Sequence, residues 1–433
     1  KNNFRVVYVP VIDLYFIPFG RRLSFWLSSI SFSISSFCYL LGAAFRSDVV
    51  YSNESLPLLL ASFMFPATFY EMHDFPESKF FLFGVFLRRM RWILIHNYWK
   101  TEQAVKRFAV PRSKIITEPN AVDVGDFDIA VSKPEARARL GLPPDKKIIV
   151  YTGHLYSWKG VNTLAESARE LTNDYLVVFV GGTSEDLERF RKMYGKILNI
   201  SIVGWKPHAE IPLWQKAADV LALPNTAKED ISKYYTSPMK LFEYMASRVP
   251  IVASRIPSIE EIVTKREVFF AEADNALSFS KTIEKAAVDR KEVERRTERA
   301  YVKVLEFTWG KRAQRIFSFI DHTGTHATVF NKTRLFFLAR YVCSGLLAFM
   351  VNLLLLLLFK EYFRIWYLYA STYAFIISVI VSFLAQKFIT FRDRSRGRVP
   401  YQLTLYIIIA LMNVVVNGVF MFSFVDLLRI PYV

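Results

Sequence analysis

Cysteine is nearly missing from this chain: 433 residues hold only Cys38 and Cys343. Two cysteines so far apart make neither a disulfide framework nor a metal-ligand pattern, and the default compartment is a reducing, cytosolic one. The six histidines show no metal-ligand spacing either, so no metal or other cofactor is expected. No secretory signal pattern opens the chain, which starts at Lys1 and stops at "RIPYV" directly after an apolar run. Both ends read as cut. Acidic residues are the scarcer charge, 39 against 56 Lys and Arg, for a formal net charge of +17. That balance calls for an anionic partner, either nucleic acid or an anionic membrane surface. No nucleic-acid-binding module is recognisable, so nucleic acid is set aside.

What is abundant is apolar surface, 52% of residues, with 39 Phe and 22 Tyr. It collects near the carboxyl end into three runs: "RLFFLARYVCSGLLAFMVNLLLLLLF" (334–359), "WYLYASTYAFIISVIVSFLAQKF" (366–388) and "YQLTLYIIIALMNVVVNGVFMFSFV" (401–425). Each is long enough to cross about 30 Å of hydrocarbon, which places spans at about 335–359, 366–388 and 401–425. Lys332, Arg334 and Arg340 open the first run, and Lys387, Arg392, Arg394, Arg396 and Arg398 lie between the second and third. The connection between the first two has only Lys360 and Arg364, with Glu361. By the positive-inside rule the large amino-terminal part faces the cytosol. Asn352, Asn413 and Asn417 lie at membrane depth, as helix–helix contacts or as a headgroup site.

Before Arg334 strands and helices alternate. One set of β-branched or aromatic runs is "RVVYVPV", "DVVYS", "ATFYEMHD", "WILIHN" and "KIITEPN"; the second is "KKIIVYTG", "DYLVVFVGG", "NISIVGW", "DVLALPN" and "VPIVAS". Such alternation predicts parallel sheets covered on both faces, and two sets predict two domains divided near "GLPPDKK" (141–147). The serine-rich stretch 23–45 reads as a buried or membrane-grazing helix. "TWGKRAQRIFSFI" (308–320) reads as an amphipathic helix closing the second domain.

Ligands of such sheets bind beyond the carboxyl ends of the strands. There the chain places "GHLYSWKG" (153–160), where Gly153 lets a ligand approach the backbone and Lys159 reaches an anion. In "TSPMKLFEYMASRVPIVAS" (236–254), Ser237 reads as an N-cap and Pro238 as the first helical residue. The free N–H groups behind them form an anion site, to which Lys240 adds charge, and Glu243 is placed to accept from a ribose diol. A nucleoside diphosphate between loop and helix uses all of these features. "KEDISK" (228–233) reads as a mobile acidic loop. His73 and His96 both end strands; His73 reads as a site residue and His96 as packing, while His208 carries no pattern. Arg88, Arg89 and Arg91 border "FFLFGVFL" as a solvated basic helix end or a membrane-docking face.

Together "YTGHLYSWKGVNTL", "IVGWKPHAEIPLWQKAADVLALPN" and "SPMKLFEYMASRVPIVAS" resemble the donor-binding half of the family-four retaining glycosyltransferases of GT-B architecture. "FYEMHDFP" and "KIITEPNAVDVGDF" are similar to parts of the acceptor-side half. The resemblance implies that Lys159 and Lys240 hold the donor diphosphate and Glu243 the ribose, in a pocket shared by Gly153, His154, Ser237, Pro238, Met239 and Leu241. Gly204 and Trp205 fall where the base is bound by backbone, His73 near the reacting carbon. The family has Arg where His154 stands, and its first paired glutamate where Tyr235 stands. Its first strand and glycine-rich loop fall before Lys1, and its closing helix crosses back onto the first domain. "YVCSGLLAFMVNLLLLLLF" and "SFLAQKFITFRD" resemble the GtrA-like membrane proteins, associated with polyprenyl-phosphate sugars.

The fold class expected is thus α/β, two Rossmann-like domains (1–140 and 141–320), then a linker (321–333) and an all-α transmembrane bundle (334–433). The function implied is a multi-pass inner-membrane enzyme with its transferase domains in the cytoplasm. It moves sugar from a nucleotide sugar to a lipid-linked sugar or polyprenyl phosphate, without a metal. The alternative is a lipid-linked-sugar flippase whose soluble half only senses nucleotide sugars.

Overall fold

The computed structural model describes residues 6–12, 21–43, 49–76 and 81–323, then 366–390, with single positions or short stretches between 345 and 363 and between 402 and 408. Two compact units divide at Thr328 and Val329.

The first unit holds two parallel sheets. One has four strands in the order β1 (Val50–Ser52), β2 (Thr68–Met72), β3 (Trp92–Ile95) and β4 (Ile115–Thr117). The other has six: β5 (Lys147–Thr152), β6 (Tyr175–Val180), β7 (Ile200–Gly204), β8 (Val220–Leu223), β9 (Ile251–Ser254) and β10 (Phe269–Ala271), ordered β10-β9-β8-β5-β6-β7. That is a doubly wound order, and its switch point lies between β5 and β8. The side-chain period of two divides each strand between two cores. Ile148, Val150, Val178 and Leu221 enter one core, while Ile149, Tyr151, Phe179 and Val220 enter the other. In the smaller sheet Tyr70, Met72, Ile93 and Ile95 face one way and Phe69, Trp92 and Leu94 the other. A sheet buried on both faces is what continuous β-branched runs specify.

Two strand expectations change. Residues 6–11 of "RVVYVPV" form no strand. β10 is an addition, since three residues are too short to show alternation. The described part of the stretch 23–45 lies within a helix, Arg21–Ala43, that buries Ser24 and Ser33 but exposes Phe25, Ile30, Phe32, Ile34 and Tyr39, so it is not buried as a whole. "KEDISK" is not a free loop: Ile231–Tyr235 is one π-helical turn whose Ser232 is fully buried.

The helix Trp309–His322 returns to the four-stranded sheet. Ile316, Phe319 and Ile320 pack on Phe69, Trp92 and Leu94. Arg312 donates to Glu71 Oε1 at 2.7 Å and to the Pro119 carbonyl at 3.1 Å, and Arg315 pairs with Glu118 at 2.9 Å. Asp321 and His322, expected in the linker, are its last turn.

In the second unit the main described element is the helix Tyr367–Ala385, within the second apolar run. Asn352 Nδ2 donates to Ser378 Oγ at 3.1 Å, and Ser382 and Tyr406 share a hydrogen bond of 2.7 Å, so polar contacts join all three runs. Among the described residues no helix is long and apolar enough to cross a membrane. Most of the first and third expected spans, with Asn413 and Asn417, lies outside the described residues.

Glu71 and Arg312 are 12% and 9% exposed, so removing one partner leaves the other charge buried. Arg312→Ala should lower unfolding free energy by about 3 kcal/mol. Urea titration of the detergent-solubilised chain checks this, and an unchanged midpoint would show that the pair does not hold the returning helix.

Candidate functional site

A cleft of about 770 Å³ opens at the carboxyl ends of both sheets. His73 follows β2, His96 follows β3, Gly153 follows β5, Gly181 follows β6, Trp205 follows β7 and Asn225 follows β8. The β5 and β8 contributions sit at the switch point, where such sheets bind ligands.

Lys240 occupies the first turn of the helix Met239–Ala246. Leu241, Phe242, Tyr244 and Met245 bury the rest of that helix, which directs Lys240 toward the cleft. Its Nζ is buried, makes no hydrogen bond, and lies 3.8 Å from the centre of the Tyr151 ring. Gly153 accepts this closeness with φ +119°; a Cβ there would stand 3.3 Å from the Nζ. Desolvation above all, then the charge of Lys159, holds the Lys240 ammonium well below the usual lysine range. Lys159, partly buried, is lowered for the same first reason, with Asp186 opposing. Two ammonium groups with so little counter-charge form an anion site.

Glu243 faces the same cleft one turn on. Burial raises its carboxyl, and His208 and Lys240 oppose the shift. His208 Nε2 lies 3.6 Å from Glu243 Oε1, a pairing across 35 positions that no local pattern signals.

Of the residues expected here, His73, Gly153, His154, Lys159, Trp205, Ser237, Pro238, Met239, Lys240 and Glu243 line the cleft. Gly204 and Leu241 do not. Gly204 ends β7 with φ +95°, and Leu241 is fully buried in the core with its N–H bonded to the Pro238 carbonyl. The cap also shifts by one residue: Pro238 is the N-cap and Met239 the first helical position. Ser237 instead accepts from Asn120 N–H at 3.1 Å, and its carbonyl accepts from Asn120 Nδ2 at 2.6 Å. No side chain caps the helix, so the N–H groups of Met239 and Lys240 remain for a ligand. His154 stacks on Tyr156 with ring centres 5.0 Å apart. Tyr235 packs on Trp99 and Phe75 of the smaller-sheet region.

On the opposite wall the fold assembles groups that are separated in sequence. His73 and His96 rings meet edge to face at 4.7 Å, and their Nε2 atoms lie 3.5 and 3.4 Å from Glu71 Oε1. These three ligand atoms fall within 4.8 Å of one another, so the expectation of no metal-ligand cluster is corrected at the level of geometry. Glu71 is already engaged by Arg312 and by the Tyr51 hydroxyl, which hold its carboxyl below the usual range despite burial. His96 is also more than packing: it lines the cleft, is 4% exposed, and neither ring nitrogen is hydrogen-bonded. Lys100, 1% exposed, donates from Nζ to the His73 carbonyl at 3.1 Å. Burial brings its pKa down to about 8, with Asp74 and Glu261 opposing.

Residues 132–303 match the family model described as glycosyl transferases group 1, and 340–433 match that of the GtrA/DPMS transmembrane domain. The chain carries a glycosyltransferase group 1 segment followed by a GtrA/DPMS segment. An Escherichia coli relative, UDP-Gal:alpha-D-GlcNAc-diphosphoundecaprenol alpha-1,3-galactosyltransferase, is 29% identical over 38% of this chain and 43% of that protein. The putative teichuronic acid biosynthesis glycosyltransferase TuaC of Bacillus subtilis is 27% identical over 35% of this chain and 36% of its own length. The chain thus spans less than half of these relatives. Among solved structures, a glycosyltransferase from Rickettsia africae has TM-score 0.57 at 15% identity, covering 67% of this chain and 81% of its own. An Anabaena HepE protein in complex with UDP has TM-score 0.56 at 16% identity, covering 66% and 82%. At these identities the likeness shows the fold, which is GT-B.

Burial first, and then the nearby Lys100 charge, lowers the His96 pKa from 6.5 to about 3. The unfolded chain therefore binds a proton below about 6.5 that the folded chain refuses until about 3. This share of stability is full above 6.5 and lost as pH falls through that window. His96→Gln should flatten the acid limb of a melting-temperature profile between pH 6.5 and 3; a limb parallel to wild type would contradict it.

Proposed function

We propose that this chain is a membrane-anchored retaining glycosyltransferase, moving a sugar from a nucleotide sugar to a lipid-linked acceptor in surface polysaccharide or glycolipid synthesis. The observation that carries the reading is the buried, unpartnered ammonium of Lys240 beside Lys159 at the switch point of the larger sheet. The donor diphosphate lies between the loop at 153–160 and the helix starting at Met239, with Glu243 on the ribose and the base near Trp205. His73, across the cleft, stands beside the reacting carbon. As the bond from the anomeric carbon to the diphosphate breaks, negative charge grows where Lys159, Lys240 and the helix N–H groups converge. Those cations do the work that a metal does elsewhere, so turnover needs none. The GtrA/DPMS segment supplies the membrane attachment, multi-pass in the inner membrane, with the cleft on the cytoplasmic side as the positive loops direct. The relatives named for a GlcNAc-diphosphoundecaprenol acceptor and for teichuronic acid biosynthesis fit this reading.

His154 and Tyr235, which depart from the family pattern, favour a second reading: a lipid-linked-sugar transporter whose cleft senses nucleotide sugars without transferring them. The full chain with UDP- and GDP-hexoses separates the two. Lys240→Ala should lower nucleoside diphosphate release by about 10²–10³ in kcat, Glu243→Ala should raise the donor KM, and EDTA should leave the rate unchanged. Calorimetric binding with no turnover would support the sensor.

A further inference from the structure

The helix Phe81–Arg89 is apolar on both sides. Gly84, Phe86 and Leu87 are buried, and the last two pack with Tyr70, Met72 and Ile93 of the smaller sheet. A surface helix that buries one side should show polar residues on the other. Here Phe81, Leu82 and Val85 are 76%, 63% and 42% exposed, and the exposed Arg88 and Arg89 continue the same stripe at helical spacing. The outward side is thus apolar in its first turns and basic in its last.

The stripe continues past the helix. Arg89 donates from Nε to Ser62 Oγ at 2.6 Å, and its guanidinium lies 4.1 Å from the centre of the Phe63 ring, which is 64% exposed. Leu40, of the helix Arg21–Ala43, packs against Ala61 and Phe65, so a third apolar segment adjoins this turn.

The cations beside these side chains bond to neutral groups. Arg88 Nη1 donates to the Phe108 carbonyl at 2.7 Å and Arg89 Nη2 to the Ser62 carbonyl at 3.1 Å. Lys114 Nζ donates to the Arg88 carbonyl at 2.7 Å and the Met90 carbonyl at 3.0 Å. The end of a helix attracts cations, which accounts for Lys114. It does not account for the exposed rings. A carbonyl also fixes a guanidinium without cancelling its charge, and residues 81–91 hold three arginines and no acidic residue.

We propose that this face is a second membrane contact, separate from the GtrA/DPMS segment. Phe63, Phe81, Leu82 and Val85 enter the boundary between headgroups and acyl chains, and Arg88 and Arg89 meet lipid phosphates. Apolar side chains flanked by uncancelled cations match an anionic bilayer, which is apolar within and negative outside. The GtrA/DPMS segment keeps such a surface within reach of every copy of the chain. The inference rests on the bilayer attachment read above and on no step of sugar transfer.

The test uses the full chain with Cys38→Ser and Cys343→Ser, spin-labelled through Leu82→Cys or Val85→Cys. A label through Glu188→Cys, an exposed position on the larger-sheet half, serves for comparison. In nanodiscs of phosphatidylethanolamine and phosphatidylglycerol, power saturation reads collisions with oxygen, which concentrates in lipid, and with a nickel chelate, which stays in water. The oxygen-to-nickel ratio at positions 82 and 85 should exceed that at 188 about fivefold or more, and Arg88→Gln with Arg89→Gln should lower it about fivefold. In phosphatidylcholine nanodiscs the same two substitutions should change it less than about twofold. Unchanged melting midpoints check that the variants remain folded. A ratio at 82 and 85 equal to that at 188 overturns the contact. Few collisions with either relaxant mark a protein partner, a second copy of this chain included, and overturn it too. A chain that does not co-elute with nanodiscs overturns the bilayer attachment, and the contact with it.

Discussion

The Lys240 ammonium is taken out of water and given an aromatic face instead of an acceptor. Burying a charge costs several kcal/mol after relaxation, and the Tyr151 ring returns only part of that. The lysine cannot turn away, because its helix is fixed by Leu241, Phe242, Tyr244 and Met245 on the core side. Hydrophobic packing thus holds in place an electrostatic cost that an anion would relieve. Gly153 and the uncapped helix start follow from the same demand: each lets backbone approach whatever neutralises the lysine.

A cleft shared by two sheets also needs its width set. Three contacts do this from different directions. Arg312 and Arg315 carry the returning helix onto Glu71 and Glu118 of the smaller-sheet region. Asn120 reaches Ser237 at the base of the lysine helix. Asn97 donates to the Tyr234 carbonyl at 2.8 Å, beside the stack of Trp99 on Tyr234. The last two join a strand end of the smaller sheet to an element beside Lys240, so the two walls keep a common reference.

The strands and the lysine pair were legible in the sequence, because continuous β-branched runs and a Lys in a helix's first turn are local signals. β4 was legible at three residues because a turn and charges bound it, whereas β10 had no such frame. The cap was misplaced by one position because Ser237 has a better partner in Asn120, 117 residues away. His96 and His208 were invisible for a related reason: their neighbours Glu71 and Glu243 lie on other elements, and only the fold brings them near. The resemblance put Leu241 in the pocket, but a helix turns it from Lys240 by about 100° and into the core.

Tyr235 shows how such a position can change its work. The resemblance places a sugar-binding glutamate there, yet the ring packs on Trp99 and Phe75, with centres 5.1 and 6.0 Å away. A carboxylate among those rings would be desolvated beside aromatic faces that repel it, so Glu at 235 fits this surrounding poorly. The position instead joins the π-helical turn Ile231–Tyr235 to the smaller-sheet region and so helps set the cleft's width. The polar groups that remain around the cleft are chiefly His73, Asn225 with its buried unpaired Oδ1, and the first turn of the lysine helix.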